Sequence, residues 1–113
     1  MQLIRGTTPT ITVKVKTELD LHEVSEVWLY ISQGNKVKVD KKLDDCEFDY
    51  ENRWIITTLS QDDTLGLKAG EALFQIRLLL NNSTALAMTA RDIEIAEVYK
   101  NGVIKPEEET QNG

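Results

Sequence analysis

Apolar and polar residues alternate with period two along most of the chain, the signature of strands with one buried face. In Thr10-Ile11-Thr12-Val13-Lys14-Val15-Lys16, the side chains of Ile11, Val13 and Val15 share a face. Glu26-Val27-Trp28-Leu29-Tyr30-Ile31-Ser32 repeats the pattern, with Val27, Leu29 and Ile31 together. Gln33-Gly34-Asn35 then supplies the glycine of a tight hairpin, and Lys36-Val37-Lys38-Val39 returns. Cys46, Phe48 and Tyr50 are predicted to share a face opposite Glu47, Asp49 and Glu51, followed by a return strand over Trp54–Leu59. The most apolar strand runs from Ala72 to Leu80, with Ala72, Phe74, Ile76, Leu78 and Leu80 on one side and Leu73, Gln75, Arg77 and Leu79 on the other. Asn81-Asn82-Ser83 reads as a hairpin loop, Thr84–Thr89 as its return, and Asp92 through Tyr99 as the last strand, ended by Asn101-Gly102.

Two places break the alternation. Ser60-Gln61-Asp62-Asp63-Thr64-Leu65-Gly66 predicts one short helical turn near residues 60–66. Ser60 can accept from the Asp63 backbone N–H while the Asp63 carboxylate reaches back, so the turn can carry the chain from one sheet to the other. Gly6, just after Leu3-Ile4, is expected to let the first strand kink and change sheets where a Cβ would obstruct. Of 113 residues, 28 are Val, Ile or Thr, whose branched side chains suit a pleated surface. Seven or eight short strands with frequent turn signals predict an antiparallel, immunoglobulin-like β-sandwich. The likeness is one of architecture, because a lone Cys46 cannot supply the Cys…Trp…Cys pattern.

Composition narrows the chemistry. The chain has 13 Lys and Arg against 19 Asp and Glu, a net charge of −6. Residues 105–113 read as a disordered acidic tail. Removing them leaves 12 basic and 16 acidic residues, so the domain over 1–104 keeps a net −4. A mildly acidic body offers little to phosphate, and nucleic acid is not an expected partner. No apolar leader and no run of 18 apolar residues occurs, so no membrane partner is expected either. The only His, His22, lies in a predicted loop, and Cys46 sits among Asp44, Asp45 and Glu47, which disfavour a thiolate. No nucleophile elbow, zinc-binding helix or phosphate loop is present. The acidic run Asp44–Glu51 lacks the glycine and converging oxygens of a calcium loop and reads as a solvated strand face. The expectation is therefore no enzyme activity, no catalytic residue, no cofactor and no metal.

Trp28 and Tyr30 stand out because they lie on the face where a half-buried strand should carry polar groups. Together they represent on the order of 300–500 Å² of surface. Either the N-terminal segment or a long side chain such as Lys38 covers them, or they meet another subunit. Leu73 and Leu79, also on a non-core face, strengthen the second option, and Trp28, Tyr30, Leu73 and Leu79 form the candidate interface.

The opening Met1-Gln2-Leu3-Ile4-Arg5-Gly6-Thr7-Thr8-Pro9-Thr10 runs directly into an alternating strand, and Leu59-Ser60-Gln61-Asp62-Asp63-Thr64-Leu65 precedes the strand containing Phe74-Gln75-Ile76-Arg77. Over about residues 1–104 the chain resembles small prophage proteins of Gram-positive bacteria related to the N-terminal Ig-like domain of phage baseplate upper proteins. The resemblance implies a sandwich without an active site that packs against other tail or baseplate proteins of a virion, assembled in the bacterial cytoplasm, with a homo-oligomer among the options. No stalk or receptor-binding part accompanies the sandwich in this sequence, which favours an adaptor or structural role. Two alternatives remain from the residues themselves. One is an acidic inhibitor of a host nucleic-acid enzyme, opposed by the lysines of the early strands. The other is a carbohydrate-binding sandwich using the aromatic pair.

Overall fold

The computed structural model describes residues 1–15, 18–88 and 91–106. Nine strands are formed among them: β1 (Gln2–Ile4), β2 (Thr10–Lys14), β3 (Val24–Gln33), β4 (Lys36–Lys42), β5 (Glu47–Asp49), β6 (Trp54–Thr58), β7 (Gly70–Leu80), β8 (Ala85–Ala87) and β9 (Arg91–Ala96). One sheet has the order β1-β9-β7-β3-β4 with β8 also beside β7, and the other has the order β2-β6-β5. β8 pairs with Arg77–Leu79 and β9 with Gly70–Phe74, so the two lie end to end and occupy one strand's place along β7. Lettered in chain order, the sheets are then A-G-F-C-C′ and B-E-D, an immunoglobulin-like arrangement in which the first strand joins the G strand instead of the B strand. The fold is an all-β sandwich, as the alternation predicts.

The inward faces are those of the sequence pattern. Ile11, Val13, Ile55 and Leu59 from one layer meet Val27, Leu29, Ile31, Ala72, Phe74, Ile76, Leu78, Ile93 and Ile95 from the other, and all are buried. The β3–β4 hairpin closes through Gly34 and Asn35, both at positive φ (57° and 64°), the two-residue turn whose twist matches its strands. Residues Gln61–Leu65 form α1. Ser60 Oγ accepts from the Asp63 N–H at 3.0 Å and Asp63 Oδ2 accepts from the Ser60 N–H at 2.8 Å, closing the predicted capping box. α1 carries the chain from β6 in one sheet to β7 in the other.

Several details differ from the sequence reading. The sandwich is not wholly antiparallel: β1 and β9 pair in parallel, Leu3 opposite Ile95. They come from opposite ends of the chain, so no hairpin imposes the antiparallel sense. Gly6 does redirect the chain between the sheets, but for a different reason from the one expected. A Cβ there would sit 3.5 Å from Leu65 Cδ2, which is ordinary contact, whereas φ of +81° is what would strain another residue.

β5 stops at Asp49, whose carboxylate accepts from the Asn52 backbone N–H at 3.0 Å and side-chain amide at 2.9 Å. Tyr50, beyond the strand end, is exposed, but its ring still packs edge-on against Phe48 with centroids 5.7 Å apart. The last strand ends at Ala96 rather than Tyr99. Its carbonyl takes the final rung from the Arg5 N–H at 3.1 Å, and Glu97 then turns back to accept from the Val98 N–H at 2.9 Å. β4 continues to Lys42 instead of Val39, with a bulge opposite Ile31 and Ser32. Lys16 and Thr89, placed in strands by their alternation, and residues 107–113 of the expected tail lie outside the described residues.

Candidate functional site

The register of β3 decides what surrounds the two exposed aromatics. Trp28 lies between Lys42 of β4 and Arg77 of β7, and Tyr30 between Asp40 and Gln75. Trp28 is 50% exposed, and Arg77 lies over its ring with Cζ 5.3 Å from the centroid, a cation–π contact. The Tyr30 hydroxyl donates to Gln75 Oε1 at 2.6 Å, which holds the ring against the sheet and leaves it half-buried. The N-terminal strand does not cover the pair, since β9 and β7 stand between it and β3.

Beside Trp28 is a shallow hollow of about 170 Å³, lined by Glu26, Trp28, Arg77, Leu78, Leu79 and Ala85. Leu79, 37% exposed, forms part of its wall because β3 and β7 pair Glu26 with Leu79. Leu73 is also exposed, but it lies opposite Ser32 and Asp92. Six residues of extended chain, roughly 20 Å, separate it from Leu79. The structure thus joins Trp28 to Leu79, seats Tyr30 next along β3, and leaves Leu73 apart. Glu26, Arg77 and Ala85 complete the hollow and were not singled out from the sequence. Arg77 was visible there on the non-core side of its strand, but pairing it with Trp28 needs the β3–β7 register, which joins strands distant in sequence.

The two groups with nucleophilic or proton-transfer chemistry sit in separate settings. Cys46 is half-buried, and burial pushes its thiol up, reinforced by the charge of Asp45. It lines a hollow with Asp44, Asp45, Glu47, Ile56, Thr57 and Thr58. His22 instead bonds Asp20 through Nδ1 at 2.8 Å and stacks on Tyr50, with ring centroids 3.9 Å apart. The Asp20 carboxylate, accepting from the His22 backbone N–H and ring, is held below the usual carboxylate range. Among the described residues no group of three or more His, Cys, Asp or Glu is arranged to hold a metal ion. No helix among them is long and apolar enough to cross a membrane.

No protein-family model and no curated protein sequence matches the chain. The Trp28 hollow has two charged residues in its lining, Glu26 of β3 and Arg77 of β7.

Proposed function

We propose that the chain is a structural or adaptor component of a phage or prophage virion, in the tail or baseplate, and that it works by protein–protein contact. The observation that carries the contact role is the joint exposure of Trp28 and Leu79 around one hollow, on strands whose opposite faces are core. Tryptophan and arginine are the residues most enriched where binding energy concentrates, and here they are stacked together. The virion assignment rests on the sequence resemblance and on the sandwich it implies. In this reading no residue is catalytic, and neither metal nor cofactor takes part.

The lysines of β4 weigh against a nucleic-acid mimic. Lys36, Lys38 and Lys42 lie along one edge of the first sheet, where a phosphate mimic would need carboxylates. Quantitative mass spectrometry of gradient-purified particles from the encoding bacterium tests the assignment. The chain is expected at a fixed ratio to the tail proteins; its absence from intact particles refutes the virion role.

A further inference from the structure

The sheet edges among the described residues are not equally protected, and β8, an edge beside β7, is only three residues long. β4 carries Lys36, Lys38, Lys41 and Lys42 and a bulge, devices that discourage strand addition. β5 is three residues long with Glu47 and Asp49, and β1 is equally short. β2 has none of these features. Its five residues pair with β6 in unbroken register, contain no proline, and carry one charge, Lys14, at the end.

The ladder shows which groups β2 leaves over. The Leu59 N–H bonds the Pro9 carbonyl at 2.9 Å and the Val15 N–H bonds the Arg53 carbonyl at 3.0 Å. In an antiparallel ladder the bonded residues alternate, so Ile11 and Val13 face β6, and the N–H and C=O of Thr10, Thr12 and Lys14 point to the open edge. All three residues are exposed, and no strand among the described residues pairs with that edge.

We infer that β2 is a self-pairing edge, where a second copy of this chain adds its own β2 antiparallel about a two-fold axis through Thr12. The sequence suits this register. Thr12 meets Thr12 of the second copy, Thr10 meets Lys14, and Ile11 meets Val13, so no like charges face each other and the apolar face runs on unbroken. Three bonded residue pairs supply about six backbone hydrogen bonds. The acids of this sheet, Glu47 and Asp49, sit on β5 at the far edge, away from the axis. The product is one continuous sheet made from two three-stranded ones. Self-pairing at β2 is independent of the virion assignment, and a monomeric chain would leave the Trp28 surface as it stands.

Sedimentation equilibrium of the full chain over a range of concentrations tests this, together with amide exchange at Thr10, Thr12 and Lys14. A dimer is expected, with those three amides slowing as concentration rises. Thr12→Pro removes an edge donor, and Thr12→Lys sets two ammonium groups across the axis. Each should weaken dimerisation by about tenfold or more, Thr12→Pro through the hydrogen bonds lost and Thr12→Lys through like charges set opposite each other. Circular dichroism checks that each variant is folded; if Thr12→Pro is not, Thr12→Lys and the exchange data decide. A wild-type monomer at its solubility limit overturns the inference, as does a dimer that survives Thr12→Lys or one that is lost on Trp28→Ala.

Discussion

Arg5 ties three parts of the molecule together, and its removal should be the costliest single change outside the core. Its Nε donates to the Leu67 carbonyl at 2.7 Å and a terminal nitrogen donates to the Leu65 carbonyl at 2.9 Å. The other terminal nitrogen pairs with Glu97 and donates to Asn101 Oδ1 at 3.1 Å. One guanidinium thus joins the end of β1, the C-terminal end of α1 with the residues after it, and the chain beyond β9. A hydrogen bond from a charged donor is worth about 1.5–3 kcal/mol, and the two carbonyls would lose theirs together. Because the site borders solvent, water recovers part of this, and the expected cost of Arg5→Ala is about 3 kcal/mol. Arg5→Lys keeps the charge but not the planar fork, so it should restore less than half. Glu97 is 56% exposed, and Glu97→Gln should change stability little. Urea denaturation followed by circular dichroism reads all three. With a slope of about 1.5 kcal/mol per molar, the Arg5→Ala midpoint falls by about 2 M. A fall no larger than that of Glu97→Gln would show that the carbonyl bonds contribute nothing and would refute the reasoning.

Further expectations test other levels of the account. Leu29→Ala, at a fully buried position, should cost about 3–5 kcal/mol in the same titration, while Leu73→Ala on the outer face should cost under about 1.5, and equal costs would mean the strand faces are misassigned. Ser60→Ala should lose about 1 kcal/mol through the capping box, and no loss would deny the cap a role. Burial raises the Asp63 pKa, but the Lys41 ammonium 2.8 Å away and the Ser60 N–H outweigh it, so the folded value is below the ordinary 3.8. That stabilisation is complete above the unfolded pKa and is lost as pH falls through the depressed folded one. Asp63→Asn should therefore flatten stability below about pH 4, and an unchanged acid limb would contradict the pairing. Cys46, with its raised pKa, should react with a thiol reagent at neutral pH more slowly than a free cysteine, and faster reaction would contradict its burial.

The parts of this fold that the sequence makes legible are those whose signal is local. Alternation at Ile11–Val15, Val27–Ile31 and Ala72–Leu78 names the core faces because side chains on a strand change sides at every residue. The Gly34-Asn35 turn and the Ser60–Asp63 cap are readable because their residues meet within a few positions. What the sequence leaves open depends on distant partners. Leu3-Ile4 reads as the start of a kinked first strand, but its parallel direction is set by β9 at the other end of the chain. Arg5 has no motif around it, since its acceptors at Leu65 and Leu67 come from sixty residues away. The candidate surface is intermediate: Trp28, Tyr30, Leu73 and Leu79 are each visible as out of place, but only the β3–β7 register groups Trp28 with Leu79 and separates Leu73.

If the chain is the virion component proposed, the hollow around Trp28 receives another virion protein. A photo-crosslinking amino acid at position 28, carried by the full chain in the encoding bacterium, tests it in assembled particles. A covalent adduct with one structural protein of the tail or baseplate, diminished by Leu79→Ala, is the expected result. Incorporation into particles with no adduct at position 28, or an adduct equally strong from an exposed control position such as Glu51, would contradict it.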